Sequence, residues 1–337
     1  MTWPCRGHFA LSSRRGCSAS SRIAGWLVLA LAAPAFGSSV VPSQPARHAR
    51  VDLVATQGDT AFSGDLLVGI RFRIDAGWHI YWQNPGDSGA PPSVRWSLPA
   101  GLEAGPLEWP APVRLAEPPL ASYVYTGEVV LPVRIRVTGS SRQRNALTIA
   151  ASVRWVVCRE VCVAEQADTQ LDLPIAEDSD RLLADWRAAI DSAVARIPRP
   201  WPAGWTASAA LTRDGFLLAV ETGRRETAGT FFPLDRGMID DGSPQAATSL
   251  DRGVALRIRR SDQLTTLPSR LRGVFVLGPD RAYSLDATIV APQSRGAGRP
   301  RSNNVDVDEI KGHSFASMAT IDAPQSNEAV PAVRAAP

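Results

Sequence analysis

The sequence predicts a mostly β protein with two strand-rich blocks and one helix between them. Apolar residues alternate with polar ones in short runs from Val51 to Ala176, and again from Trp201 to about Pro292. This period of two is typical of half-buried strands. Gly and Pro turns separate the runs, and apolar residues fall at helical spacing only between Asp178 and Ile197. Antiparallel sandwiches, whose sheets each keep one face in water, account for these patterns.

The N-terminus has the pattern of an export signal. Residues 1–22 hold four arginines and no acidic residue, and Ile23 to Phe36 is apolar and ends in small residues. A positive segment, a short apolar segment and an A-x-A-like site at Ala33-Pro34-Ala35 are typical of secretory signal peptides. We assign residues 1–37 to a signal peptide. An uncleaved anchor is the alternative, which the stretch disfavours because a membrane span needs about 20 apolar residues.

Charge and length limit the function of the exported chain. The full sequence carries a formal net charge of +3, and loss of the four signal arginines makes it −1. Nucleic-acid binding needs a clustered basic surface, so we expect no nucleic-acid partner. The roughly 300 remaining residues fit about two domains.

The first block contains clear strand patterns and one loop-rich stretch. Leu66–Ile74, Val129–Val137 and Leu147–Val157 are predicted strands. Asn84–Pro119 is rich in Pro and Gly, and we expect short strands and ordered loops there, not a helix.

The helix lies between Asp178 and Ile197. Acidic residues stand at its start, and Pro198 and Pro200 end it. The apolar stripe consists of Leu183, Trp186, Ile190, Val194 and Ile197. We interpret this stripe as a packing surface on a helix that joins the two blocks.

The second block has strand patterns at Phe216–Val220, Gly253–Ile258 and Gly273–Leu277 and holds no Cys or His. It therefore has no metal or thiol chemistry of its own. From Gln293 onward the chain is rich in Ser, Ala, Pro, Asn and Gly. Such a segment buries too little apolar surface to offset its ordering entropy, so we expect a disordered tail.

Cys158 and Cys162 are the only cysteines beyond the signal, and three residues separate them. Strand patterns flank the pair on both sides, so a hairpin with a three-residue tip would place the two residues opposite each other. A disulfide needs Cα atoms about 5.5 Å apart, whereas an extended chain would hold these about 13 Å apart. Bonding therefore requires a turn, either a hairpin tip or a single helical turn.

The pair has three interpretations. A structural disulfide is common in exported proteins. However, a bridge over so few residues stabilises least, by about 2 kcal/mol in the chain-entropy model, and sulfurs at a tip are open to an incoming thiolate. Two thiolates also suit Cu(I), but His48, His79 and His313 do not lie at ligand spacing. Reversible exchange fits best, and we expect no metal or other cofactor.

Four segments carry a resemblance to a known family. They are Gly77-Trp78-His79-Ile80-Tyr81-Trp82-Gln83-Asn84-Pro85-Gly86-Asp87-Ser88-Gly89, Tyr125-Thr126-Gly127-Glu128-Val129, Trp155-Val156-Val157-Cys158-Arg159-Glu160-Val161-Cys162, and Phe231-Phe232-Pro233-Leu234-Asp235 through Ser243-Pro244-Gln245. They resemble the N-terminal periplasmic region of DsbD-type thiol:disulfide interchange proteins, and the ScsB-like branch in particular. The likeness spans roughly residues 50–290.

The resemblance implies an immunoglobulin-like domain whose cysteine pair, here Cys158 and Cys162, relays electrons to the disulfides of periplasmic client proteins. It also implies a reductant, either a thioredoxin-like domain or a membrane electron-donor protein. This chain has no thioredoxin-like C-x-x-C. We therefore expect a periplasmic relay fed by a separate partner, or a truncated gene product.

In such domains a loop with aromatic residues covers the cysteines, and Tyr123 and Tyr125 are our candidates for that shield; ordinary edge packing is their alternative role. Large aromatic side chains usually serve burial, so we assign Trp78, Tyr81, Trp82 and Trp155 to the core. His79 is a candidate neighbour of the thiols, with a structural role as the alternative.

The predicted fold class is thus mostly β, with two tandem immunoglobulin-like β-sandwich domains joined by one amphipathic helix. The predicted limits are residues 1–37 for the signal peptide, 45–176 for the redox-active domain, 177–198 for the linker helix, 199–292 for the second sandwich and 293–337 for the disordered tail. The predicted function is periplasmic thiol-disulfide interchange of the protein-disulfide reductase type. A non-catalytic exported binding or assembly module and a Cu(I)-handling domain are the alternatives.

Overall fold

The computed structural model describes residues 47–56, 66–137, 147–173 and 180–290. The predicted signal peptide and the predicted tail lie outside the described residues. Within them the chain forms two β-sandwiches and one helix, as the sequence predicted. The predicted domain limits stay predictions.

The N-terminal sandwich consists of two antiparallel sheets between Ala49 and Leu173. The four-stranded sheet contains, in order, β1 (Ala49–Ala55), β2 (Leu66–Ile74), β8 (Glu128–Val137) and β5 (Leu102–Leu107). The six-stranded sheet contains, in order, β10 (Cys162–Leu173), β9 (Leu147–Cys158), β3 (His79–Gly86), β7 (Leu120–Thr126) and β6 (Val113–Glu117), and β4 (Ser93–Ser97) pairs with β9. The loop-rich stretch thus holds short strands and no helix, as expected.

Alternation along β9 shows why this sequence forms a sandwich. Ile149, Val153, Trp155 and Val157 are buried in the core between the two sheets, whereas Arg154 on the other face is exposed. Because side chains alternate across a strand, each apolar residue at every second position faces the core. By the same alternation, Ile80 and Trp82 of β3 face the core and Tyr81 lies on the outer face of the sheet.

The helix α1 (Asp180–Ala195) packs on the four-stranded sheet and contacts β8 and β1. Trp186, Ile190 and Ala193 are buried against the sheet, whereas Val194 of the predicted stripe is largely exposed. The buried Arg71 guanidinium bonds Asp185 of the helix at 2.6 Å. The helix follows the first sandwich in sequence and is also part of its packing.

The C-terminal sandwich is a seven-stranded arrangement that wraps around a second core. Its strands are β11 (Thr206–Leu211), β12 (Gly215–Glu221), β13 (Thr230–Pro233), β14 (Ala246–Leu250), β15 (Gly253–Arg259), β16 (Arg270–Val276) and β17 (Ala282–Val290). Their order is β13-β16-β17-β11-β12-β15-β14, antiparallel except for a short parallel pairing of β11 with β17. All three strand patterns predicted in this block fall in these strands.

The two sandwiches share a buried aromatic contact. The ring of Phe232 on β13 lies 5.1 Å from that of Tyr123 and 6.3 Å from that of Trp82. All three side chains are buried in one apolar cluster with the core of the N-terminal sandwich. No helix within the described ranges is long and apolar enough to cross a membrane.

A buried carboxylate in the C-terminal sandwich makes stability depend on pH. Arg281 binds both oxygens of Glu226, at 2.7 and 2.9 Å, and Arg224 and Thr222 add further hydrogen bonds. The Arg281 hydrogen bonds lower the pKa of Glu226 to about 2, from an ordinary value of 4.5. A carboxyl whose pKa is lower in the folded chain stabilises the fold at pH values above its pKa in the unfolded chain. This stabilisation is lost as the pH falls toward the pKa in the folded chain.

We therefore expect Glu226→Gln to lower the free energy of unfolding by about 2–3 kcal/mol at pH 7. The difference from wild type should shrink as pH falls from 4.5 toward 2, because the carboxylate is then protonated in the unfolded chain. Urea unfolding across this pH range measures the effect. Glu103→Gln is the control, since Glu103 is exposed and its only ion pair with an arginine among the described residues is at 4.0 Å. A constant difference at all pH values would contradict the assignment.

Candidate functional site

Cys158 and Cys162 form a disulfide at the tip of the β9–β10 hairpin. Cys158 ends β9, Cys162 begins β10, and the two residues are directly opposed in the strand register. The sulfur atoms are 2.04 Å apart and the Cα atoms 4.2 Å apart. The Arg159 amide donates to the Val161 carbonyl at 3.2 Å within the three-residue tip. The hairpin, and not a helical turn, therefore brings the cysteines together.

The two sulfurs differ in access. Cys158 is only 2% exposed and packs with Tyr81 and Val124, with Leu115 and Val156 alongside. Cys162 is an exposed residue. An incoming thiolate can therefore reach Cys162, while Cys158 lies beneath side chains of neighbouring strands.

Tyr81 is the closest polar partner of the disulfide. Its hydroxyl donates to the Cys158 sulfur at 2.9 Å and lies 3.8 Å from the Cys162 sulfur. Burial raises the pKa of Tyr81, so the hydroxyl keeps its proton and can donate at neutral pH. Gly89 lies against the tyrosine ring, since a Cβ there would be 2.1 Å from a ring carbon. The ring is thus packed directly against the backbone of Gly89.

His79 lies beside this pair and is opposite Cys158 in the strand register. Its Nε2 is 3.3 Å from the Tyr81 hydroxyl. Burial lowers the pKa of His79, and the negative charge of Glu117 opposes that effect in part. His79 is therefore neutral at physiological pH and adds a polar group to the site without adding a charge.

Tyr123 and Tyr125 lie on the opposite face of β7 from the disulfide. Tyr81 pairs with Val124 in the register, so Val124 shares the face of Tyr81 and the two tyrosines face the core. The Tyr123 hydroxyl donates to Asp241 at 2.5 Å, and the Tyr125 hydroxyl donates to the Pro110 carbonyl at 2.6 Å. The structure thus gives the proposed shield residues other partners, and Tyr81, which we had assigned to the core, contacts the sulfurs.

The other three aromatic residues assigned to the core, Trp78, Trp82 and Trp155, are buried in the core cluster of the N-terminal sandwich. Trp78 stacks on His48 with ring centroids 3.6 Å apart, and the Arg159 guanidinium lies 5.4 Å from the Trp78 ring. Trp78 thus links the start of β1 to the tip that carries the cysteines.

Three exposed apolar side chains lie in the cysteine tip or on the face of the sheet that carries Cys158. Val161 in the tip is 66% exposed, and Val113 and Leu120 of the β6–β7 hairpin are 62% and 49% exposed. Val113 pairs with Val124, and Leu120 is four residues before Val124 on the same strand, so both share the face that carries Cys158. Exposed apolar side chains that share one face of a sheet are typical of a contact surface for another protein.

A groove of about 340 Å³ lies on the same face. Val156 and Ala164 contribute to its lining and lie two residues from Cys158 and Cys162 on their strands. Arg154 and Gln166 supply polar groups, and they are hydrogen-bonded to each other at 2.9 Å. Within the described residues no cluster of three or more His, Cys, Asp or Glu side chains is arranged to hold a metal ion.

Comparison with known proteins identifies one family and one fold. The family described as thiol:disulfide interchange protein DsbD, N-terminal, matches residues 51–174. The chain is similar to the N-terminal periplasmic domain of ScsB from Proteus mirabilis, with 18% identity and a TM-score of 0.53 over 73% of this chain and 96% of that one. That likeness shows the fold. A yeast GGA1 GAE domain also matches, at 11% identity over 38% of this chain and 95% of that one, but its TM-score of 0.23 carries no argument. No curated protein matches in sequence.

Proposed function

Residues 51–174 form a DsbD-type N-terminal domain, and from that premise we propose that this chain performs thiol-disulfide interchange in the periplasm as a protein-disulfide reductase. Cys158 and Cys162 would relay electrons from a thioredoxin-like domain or a membrane electron-donor protein to disulfides of client proteins. One observation carries the proposal: an exposed cysteine is bonded to a buried cysteine whose sulfur has its own hydrogen-bond donor. The export pattern of residues 1–37 supports the periplasmic location.

The exposure of Cys162 supports one order of the steps. A thiolate of the reductant attacks the Cys162 sulfur, the bond to Cys158 breaks, and Cys158 leaves as a thiolate that accepts the Tyr81 hydrogen bond. The second thiolate of the reductant then attacks the reductant sulfur that is bonded to Cys162 and releases Cys162 as a thiolate. The pair gains two electrons, and the reductant becomes a disulfide.

The client step runs in the other direction. The Cys162 thiolate attacks one sulfur of a client disulfide, and the other client sulfur leaves as a thiolate. Cys158 then attacks the Cys162 sulfur, the Cys158–Cys162 bond forms again, and the second client sulfur is released. The client gains the two electrons that the pair loses.

The partner surface follows from the exposed apolar side chains of the cysteine tip and of the β6–β7 hairpin. Val161, Val113 and Leu120 would meet apolar residues of the partner, because exposed apolar groups on one face gain from being covered in an interface. The groove beside Val156 and Ala164 would hold the polypeptide next to a client cysteine. Neither contact requires a bound cofactor.

The reduction potential of the pair tests the proposal directly. We expect a value between about −270 mV and −120 mV, the range of thioredoxin and of oxidising periplasmic catalysts, for the mature protein equilibrated in redox buffers and scored by thiol alkylation. Structural disulfides usually lie below about −300 mV. A value in that lower range would support the alternative, an exported binding or assembly module with a structural disulfide.

Replacement of Tyr81 tests the role of its hydroxyl. Tyr81→Phe removes the donor to the Cys158 sulfur and so destabilises the reduced state relative to the disulfide. Loss of about 1.4 kcal/mol, typical of one hydrogen bond, lowers the potential by about 30 mV. Tyr125→Phe is the matched control, because its hydroxyl bonds the Pro110 carbonyl on the other face, and its potential should equal that of wild type. Equal shifts in both variants would contradict the assignment.

A further inference from the structure

Arg114 on β6 connects the redox sheet to a loop of the C-terminal sandwich. Its guanidinium donates to the backbone carbonyls of Asp241 at 2.6 and 3.2 Å, of Gly242 at 3.0 Å and of Ser243 at 3.3 Å. The loop at residues 240–243, which lies between β13 and β14, is called the 240–243 loop below. One side chain thus holds three successive carbonyls, and hydrogen bonds from a charged donor are stronger than those from a neutral one.

The same loop touches the β6–β7 hairpin at two further points. A Cβ on Gly242 would lie 1.9 Å from the Pro119 carbonyl oxygen, so this close approach requires glycine. The Tyr123 hydroxyl on β7 donates to the Asp241 carboxylate. The hairpin is therefore held on β6, at its turn and on β7 by one loop.

The hairpin forms part of the wall around Cys158. Leu115 of β6 and Val124 of β7 belong to the apolar cluster that contains Cys158 and Tyr81. Glu117, at the end of β6, is close enough for its charge to act on His79 and Tyr81. If β7 separates from β3, Val124 and Leu115 leave the cluster, and the Cys158 sulfur and the Tyr81 hydroxyl become accessible to water and to thiols.

The neighbouring strand is attached to the C-terminal sandwich as well. The Asn84 side chain on β3 donates to the Pro233 carbonyl at 2.8 Å, and Trp82 packs on Phe232. The strands β3, β6 and β7, which surround Cys158 on one side, therefore each contact the C-terminal sandwich. That sandwich holds no cysteine or histidine among its residues, so its contribution to the site is mechanical.

We propose that the C-terminal sandwich, through the 240–243 loop and Arg114, holds the β6–β7 hairpin against β3, with Val124 and Leu115 packed beside Cys158, and so confines thiol exchange to Cys162. Arg114 is a positioning residue in this proposal, since it touches neither sulfur. The inference rests on the proposed exchange function, and it assigns the second sandwich a role in directing which sulfur reacts.

Site-resolved alkylation of the reduced, mature protein tests the proposal. The protein is pulsed with N-ethylmaleimide, and tryptic cleavage after Arg159 places Cys158 and Cys162 in separate peptides for mass spectrometry. In wild type we expect Cys162 to react faster than Cys158. In Arg114→Ala the rate at Cys158 should rise about ten-fold or more, and the rate at Cys162 should change less than about two-fold, because labelling of a buried group follows the population of the opened state.

Three further variants make the test specific. Arg114→Lys keeps the charge but not the fork of donors, and it should give an intermediate rate at Cys158. Gly242→Ala disturbs the contact between the 240–243 loop and the β6–β7 hairpin from the side of the C-terminal sandwich, and it removes no hydrogen-bonding side chain. It should reproduce the rise in the Cys158 rate expected for Arg114→Ala. Arg134→Ala is the matched control, since Arg134 is an exposed arginine on β8 paired with Glu108, and it should leave both rates unchanged.

The outcomes separate this proposal from the function on which it rests. An unchanged Cys158 rate in folded Arg114→Ala and Gly242→Ala, as judged by circular dichroism, overturns the positioning role. An equal rise at both cysteines overturns it as well, since that result indicates general loosening. The wild-type reduction potential tests the relay independently, because a potential below the relay range contradicts the function and leaves the labelling pattern as it is.

Discussion

Replacement of Cys158 is expected to trap partners, and replacement of Cys162 is expected to abolish exchange. In Cys158→Ala the exposed Cys162 thiolate can still attack a disulfide, but no second thiol resolves the mixed disulfide, which therefore accumulates. In Cys162→Ala the remaining sulfur is buried under Tyr81 and Val124, and an incoming disulfide cannot reach it. The prediction follows from the difference in exposure alone.

Non-reducing electrophoresis measures this difference. The test partner is a thioredoxin-like protein in which one active-site cysteine is replaced and the other is activated as a mixed disulfide with an aromatic thiol. We expect a covalent complex with Cys158→Ala and a yield at least about a hundred-fold lower with Cys162→Ala, since exchange rates depend on access to the sulfur. The double variant is the background control. Equal trapping by the two single variants would show that both sulfurs are accessible and would contradict the order of steps.

Removal of the Trp82 side chain is expected to cost the largest amount of stability. Trp82 is fully buried and packs on Tyr123 and on Phe232 of the other sandwich. Large-to-small replacements of buried aromatic residues typically cost about 3–5 kcal/mol, so we expect a loss of that size in Trp82→Ala. Because the contact crosses between the sandwiches, both should lose stability together.

Two variants control for the size and the polarity of the side chain. The Trp82 indole Nε1 is buried and has no hydrogen-bond partner among the described residues, so Trp82→Phe should cost less than about 1.5 kcal/mol. Trp96→Ala on β4 should cost less than Trp82→Ala, because Trp96 is only partly buried. Urea unfolding followed by fluorescence and by proteolysis of each sandwich provides the measurement. If the C-terminal sandwich kept its full stability in Trp82→Ala, the shared core would be contradicted.

Local patterns in the sequence were sufficient for several strands, for the helix and for a turn at the cysteine pair. The alternation of Val153, Trp155 and Val157 before Cys158, with a second strand pattern after Cys162, favours a hairpin whose tip carries the pair, and the structure excludes the alternative of a helical turn. The spacing of Trp186 and Ile190 predicts the buried face of α1. These features depend on residues close in sequence, and the fold class follows from them.

Side-chain alternation along β3 also predicts which face carries Tyr81, but Tyr81 was assigned to the core. Ile80 and Trp82 are large apolar residues on one face of β3, so His79 and Tyr81 must occupy the other face. The composition of the segment favoured burial for every aromatic residue in it, and Tyr81 is indeed buried, but on the outer face of the sheet and against a sulfur. Tyr123 and Tyr125 were favoured by resemblance, and the register of β7 places both on the core side.

The contacts between the sandwiches could not be predicted from the sequence. Arg114 and the carbonyls it binds are more than a hundred residues apart in the chain, and so are Tyr123 and Asp241. No periodicity links such residues, because their proximity depends on how two complete folds pack. Backbone carbonyls as acceptors leave no trace in side-chain composition, so the most extensive contact of Arg114 has no sequence signal.

The long pairing of β9 with β10 bears on the kinetics of electron transfer. The two strands are matched over twelve residue pairs from Leu147–Leu173 to Cys158–Cys162, and the disulfide closes only the last of them. The other eleven pairs keep the register whether or not the sulfurs are bonded. In the proposed exchange reaction, gain and loss of electrons would therefore involve little reorganisation of the backbone, and the protein would not need to refold at each turnover.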